Sequence, residues 1–276
     1  MDKLDSLARE KGYTIGSLSI GECIDLADEL KQRVSDVIIE EAMLAQKMTR
    51  QEVMSSVTAA FAHNLYALKV GQTSGKSFLM GTVGRDLTDR EVSLSPDVFV
   101  DKALKYTLSA QVGNHAVGLQ PCAGTGDSCT YTGLFKALMD TVGEDELAKL
   151  TALMLKVGGV FRVGKTTTGC NMEGFGAGAA ATAAVAEMLE AKPVQVGQAI
   201  TLALSPTIAT PCTPRVMVAG LCAAHIGGGV LIGHLAAQLV VKTGIPVTVP
   251  PDVMIAMAAA VHPLSAKYVV PPVIQY

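Results

Sequence analysis

The chain has 276 residues, of which 49% are hydrophobic, 17% charged and only 4% aromatic, and it contains no tryptophan. A mean hydropathy of +0.37 excludes a disordered chain and leaves a globule with a large core or a membrane protein. With 22 basic against 25 acidic residues, a net charge of -3, there is no basic field to neutralise a phosphate backbone, so nucleic acid is not an expected partner.

A core of Ala, Val, Leu and Met with many glycines suits closely packed helices, because small side chains let helix axes approach. The expected fold is therefore all-α, one helical domain over residues 1–276 with amphipathic outer helices in 1–60 and a buried helical core in 110–276. The start of the chain, Met1-Asp2-Lys3-Leu4-Asp5, is charged and lacks the apolar stretch of a secretory signal, which predicts a cytoplasmic protein. Six cysteines in that compartment read as thiols, metal ligands or core residues rather than as a disulfide framework.

Residues 1 to about 60 carry helical periodicity with dense charge, as in Ile20 to Leu30 and Val37 to Met43. They predict a solvated outer layer in which Cys23 is a core residue of an apolar face. Thr49-Arg50-Gln51-Glu52 has the spacing of a capping box. Residues 71 to 98, broken by glycine and polar side chains through Gly71 to Ser77 and Asp86 to Asp89, predict a long loop. A helix is expected from about Pro96 to His115, closed by Gly118, and the turn-rich stretch Gln120 to Thr130 should open another at about Tyr131. Small residues and hydroxyls before a helix make an anion seat.

Gly159-Val160-Phe161-Arg162-Val163-Gly164-Lys165-Thr166 matches the phosphate-loop pattern Gly-x4-Gly-Lys-Ser/Thr. A phosphate loop needs a strand before it, however, and Leu150 to Val157 reads as helix. From residue 176 onward there are seven charged side chains, Glu187, Glu190, Lys192, Arg215, Lys242, Asp252 and Lys267, so this part must be largely buried. Val216 to Val240 is apolar and long enough to span a bilayer. Gly227-Gly228-Gly229 is expected to divide it, His225 and His234 sit inside it, and the flanking Pro-rich stretches are expected to be turns between central helices of a bundle, with no membrane involved.

Cys170 follows Gly169 before an alanine-rich segment, Cys212 sits between Pro211 and Pro214, and Cys222 lies in the next apolar run. Their spacing is not the compact Cys-x-x-Cys of a metal motif. The first two adjoin chain breaks where amides are free, and a helix N-terminus favours the ligating thiolate. Buried core thiols and metal ligands both remain open on this reading.

At these residues the chain resembles the alpha subunit of iron-sulfur-dependent L-serine dehydratases. The resemblance runs through Gly169-Cys170-Asn171-Met172-Glu173-Gly174, the Cys-x-Pro of Cys212-Thr213-Pro214, and Cys222. Pro121-Cys122-Ala123-Gly124-Thr125 is similar to the family's Pro-Thr-Ala-Gly-Ser. Thr73-Ser74-Gly75 and Gln111-Val112-Gly113-Asn114-His115 look like its Lys-Ser-Gly and Asn-Glu-Val-Asn segments. Cys222 comes one residue sooner than in the family pattern, in a Gly220-Leu221-Cys222 setting that replaces Val-Pro-Cys.

The resemblance implies a 4Fe-4S cluster on Cys170, Cys212 and Cys222, with one iron open to act as a Lewis acid, and a lyase that converts L-serine to pyruvate and ammonia. It implies substrate contacts from Ser74, Gly75, Lys76, Asn114, His115, Gly124 and Thr125, with His115 as a candidate acid or base. It also implies a separate beta subunit as partner. The rivals are a cluster-dependent lyase on another small substrate, such as a cysteine desulfidase, and a non-enzymatic helical or membrane protein.

Overall fold

Capping chemistry places the first helices. Ser19 and Glu22 exchange side-chain and backbone hydrogen bonds (Ser19 N to Glu22 Oε2 2.7 Å, Glu22 N to Ser19 Oγ 3.1 Å) and start α2, Ile20–Leu30. Thr49 and Glu52 repeat the arrangement at α4, Arg50–Ala59, as the sequence predicts. Between them runs α3, Val34–Gln46, and before them α1, Lys3–Glu10.

The structure is a computed structural model that describes residues 3–77, 79–118, 129–163, 177–208 and 220–268; the side chains of 62, 63, 161–163, 177, 221, 222 and 262–268 are outside that description. It is all-α, 74% helical with no strand among the described residues. The chain continues through α5, Ala62–Thr73, α6, Val83–Asp89, α7, Val98–Ala116, α8, Cys129–Met139, and α9, Glu144–Val163. It ends in α10, Ala177–Met188, α11, Pro193–Leu204, α12, Leu221–Lys242, and α13, Pro251–Tyr268.

Two expectations change. Residues 71 to 98 are not one long loop, because α5 reaches Thr73 and α6 occupies Val83–Asp89. Leu87 of α6 is buried against α7, and Gly84 lies so close to the Gly71 carbonyl that a side chain there would collide with it. Tertiary packing thus makes a helix from a polar, glycine-containing stretch. The triple glycine likewise does not divide the last apolar run: α12 is continuous from Leu221 to Lys242. It packs against α7, α10 and α11, and those neighbours outweigh the local cost of the glycines.

One hydrophobic cluster runs from Leu4 and Ile20 through Ile39, Leu134 and Leu153 to Ile200 and Ala258. The first 60 residues therefore contribute an inner face to the core as well as a solvated layer. The alanines of α10, Ala179 to Ala186, are buried among α9, α11 and α12, since a face of methyl groups allows the close approach that longer side chains would block. A Cβ on Gly233 of α12 would stand 2.8 Å from the Gly178 carbonyl oxygen of α10.

Polar ties fasten the outer helices to this core. Arg33 at the start of α3 reaches Glu146 of α9 (2.7 Å) and Glu187 of α10 (2.8 Å). Asp252 at the head of α13 accepts from Ser19 Oγ (2.6 Å) and the Gly21 amide (3.1 Å) at the head of α2. A second, smaller cluster of Leu68, Leu79, Leu87, Leu108, Ala110, Cys129 and Ile226 joins α5 to α8 and α12, and the candidate site stands on it.

Candidate functional site

The site is built by a short loop after α5. Ser77 and Gly81 exchange backbone hydrogen bonds (2.8 Å each way), and Gly81 takes φ +56, a left-handed conformation that glycine adopts without cost. Leu79 at the tip is buried in the small cluster, which pins the loop to the helices beneath it. Its carbonyl accepts the amide of Gly220 (2.8 Å), the residue that precedes α12. The segment after α5 is thus tied to the residue that precedes the helix carrying Cys222.

The same loop meets the end of α7. Ser77 Oγ lies 2.6 Å from His115 Nδ1, and the other ring nitrogen is 3.1 Å from the side-chain amide of Gln111, one turn earlier on α7. Ser77 Oγ also accepts the amides of Leu79 (3.1 Å) and Met80 (3.3 Å). Ser77, Gln111 and Asn114 are buried, while the His115 ring is partly exposed. The histidine therefore sits at the edge of an enclosed polar layer.

Of the residues expected at the site, Ser74, Gly75 and Lys76 lead directly into this loop. Gly75 is buried close to Val112 of α7, and Ser74 and Lys76 are exposed. The amides of Ser74 and Gly75 both donate to the Val70 carbonyl (3.0 and 2.7 Å), closing α5 rather than facing outward. Asn114, buried, and His115, half-buried, are adjacent residues near the end of α7. Cys222 occupies the second position of α12, so its backbone belongs to this end of the bundle. Gly124, Thr125, Cys170 and Cys212 lie outside the described residues.

Sequence reading missed Ser77 and Gln111 as site residues. Gln111 had a legible signal, its four-residue spacing from His115 on one helix, which puts the two side chains on one face. Ser77 had none, because its partner is 38 residues away.

Close packing explains why these elements meet. Gly71 of α5 and Gly113 of α7 face each other at the crossing: a Cβ on Gly113 would collide with the Ala67 carbonyl and stand 3.0 Å from the Gly71 amide nitrogen. These glycines let the two backbones approach closely, at the end of α5 from which the chain leads to Ser77 and His115.

Other features do not join the site. Cys23 is a core thiol, as expected: burial pushes it up to about 12, the Lys156 charge pulls the other way, and Glu41 adds to the rise. Residues Gly159 to Val163 of the phosphate-loop pattern are part of α9, with their amides committed to the helix. A cleft of about 510 Å³ beside α7 and one of about 780 Å³ between α4 and the α8–α9 corner hold none of the expected site residues. Among the described residues no three His, Cys, Asp or Glu side chains gather as a metal site.

No protein-family model matches this chain, and no curated protein is found similar to it.

Proposed function

We propose that the chain is the alpha subunit of an iron-sulfur-dependent L-serine ammonia-lyase, which eliminates water from L-serine to give pyruvate and ammonia. The observation that carries the reading is a convergence: Ser77 to His115 and Leu79 to Gly220 draw the Ser74–Lys76 segment, the Asn114–His115 helix end and the head of the Cys222 helix to one place. These are the segments in which the sequence resembles that family. Nothing in local sequence demands that they meet.

Cys170, Cys212 and Cys222 would hold the cluster. The position of Cys222 suits a ligand, since the unpaired amides and partial positive charge of a helix N-terminus favour a thiolate. When bound by three thiolates, a 4Fe-4S cluster offers an open iron that polarises a substrate hydroxyl. The remaining work falls to this chain's polar groups. Lys76, Ser74 and the Gly124–Thr125 segment offer a cation, hydroxyls and amides for the substrate carboxylate. Asn114 and His115 orient the substrate at the rim of the buried polar layer. Leu79 and the small cluster beneath the loop keep water from the underside of the site.

The test is anaerobic reconstitution of the full chain with iron and sulfide, followed by assays of serine, threonine and cysteine with the beta subunit present. Broad absorbance near 400 nm (about, as for clusters generally) and pyruvate release from serine are expected. Failure to bind iron removes the cluster, and activity on cysteine alone would replace the dehydration with a desulfidase reaction.

A further inference from the structure

The outer face of α12 lacks polar cover. Ile226, Val230, Gly233, Ala237 and Val240 are buried against the bundle. Helical spacing puts Ala224, Gly228, Leu231 and Leu235 on the opposite side, at intervals of four, three and four residues, the spacing of a seam between packed helices. Ala224 is exposed, Gly228 half-buried, and Leu231 and Leu235 stand 49% and 56% in solvent. Polar side chains return to this stripe only at Gln238 and Lys242, and no Asp, Glu, Lys or Arg occurs from Leu221 to Val241. A helix that is apolar on every side is one that is covered on every side.

The stripe is divided by size, with small residues in its first half and leucines in its second. A half-turn about a point between Gly229 and Val230 exchanges Leu231 with Gly228 and Leu235 with Ala224, because both pairs are centred on that point. Laid antiparallel on a copy of itself, the helix therefore sets each leucine against a small residue, knob into hole. Gly228 has the room, since a Cβ built there meets nothing within 4 Å. An unrelated partner needs no such symmetry, whereas a second copy requires it. At the margin of the stripe His234 Nε2 lies 3.8 Å from Asp97 Oδ2, on a side chain 45% exposed. A carboxylate on that border suits the wet rim of a protein interface and is costly against lipid.

We infer that the chain forms a homodimer in which two copies of α12 pair antiparallel about a two-fold axis between Gly229 and Val230, Leu231 packing on Gly228 and Leu235 on Ala224 of the other copy. The seam from Ala224 to Leu235 covers roughly 17 Å of helix. Val98, 71% exposed and next to Asp97, adds apolar surface beside it. The same register brings the last turns of each α12 beside the head of the other, where Gly220 meets Leu79. The interface thus borders the candidate site, and it does not depend on the proposed reaction.

Sedimentation velocity of the full chain should show a concentration-dependent dimer. L231E should be a monomer with the helical circular dichroism of the wild type, because Leu231 already stands half in water; if it fails to fold, L231Q and L235Q, which add no charge, probe the same contacts. The register is read by mixing variants. G228K alone should also be monomeric, and an equal mixture of L231E with G228K should recover a dimer, since glutamate then faces lysine across the seam. L231E mixed with A224K should not. A wild type that is monomeric up to its solubility limit, or a dimer that survives the substitutions at both leucines, overturns the inference. A monomer that enters the detergent phase, or binds only the beta subunit, and loses that property in L231E assigns the stripe to a bilayer or to that subunit and overturns it too. Equal recovery with A224K and G228K overturns the register.

Discussion

Glu187 is almost wholly enclosed, and its carboxylate accepts the Ser35 amide (2.9 Å) and the Arg33 guanidinium (3.1 and 2.8 Å). The hydrogen bond to Glu146 is the largest influence on Arg33; it outweighs burial and, with Glu187, raises the guanidinium above its ordinary range. Removing one partner of an enclosed pair leaves the other charge poorly solvated. Glu187→Ala should therefore lower unfolding free energy by about 3 kcal/mol in urea titration, although Arg33 keeps Glu146. Cys23 offers a second residue-scale test. With its thiol pushed up to about 12, it should resist iodoacetamide at pH 8 in the folded protein and react only as the chain unfolds; modification of the native state would show that the helix face opens. That Cys23 belongs to the core was legible from the apolar periodicity around it. The closure of Glu187 by Arg33 was not, because the two are 154 residues apart.

Among the elements, α7 is the one the site depends on. Gly113 lies where α7 crosses α5, and a methyl group there would strike the Ala67 carbonyl. Gly113→Ala should push the helices apart, cost about 2 to 3 kcal/mol, and weaken protection of the Leu79 and Met80 amides in hydrogen exchange, because the loop above rides on that crossing. The other end of α7 is fixed by Asp101, which accepts the amides of Leu94 (2.6 Å) and Ser95 (3.3 Å) and pairs with Lys105 (2.8 Å). Burial pulls this carboxyl up, but Lys105 and the amides together outweigh it and hold the group below its ordinary value. A depressed folded-state value stabilises above the unfolded value and loses that contribution as pH falls through the folded one. Asp101→Asn should thus cost about 1 kcal/mol near neutrality, with the gap to wild type closing at acid pH below about 4.

For the whole molecule, α12 raises the question of a membrane. Among the described residues it is the one helix long and apolar enough to cross a membrane, with 44% of its Ala223–Lys242 window buried inside the bundle. It packs against α7, α10 and α11, and Gly233 meets α10 backbone. If this is a core helix, the protein should remain in the aqueous phase on detergent partitioning; transfer to the detergent phase would return the apolar run to a bilayer.

The sequence by itself determined the helical class, the Thr49–Glu52 capping box and the end of α7 near Gly118. These follow from interactions within a few residues and from a composition rich in small apolar side chains. Tertiary structure alone decided that α12 runs unbroken through Gly227-Gly228-Gly229, that residues 83 to 89 are helical, and that Ser77 meets His115 while Leu79 meets Gly220. The reason is physical: each depends on a partner distant in the chain, where packing supplies the free energy that local propensity lacks.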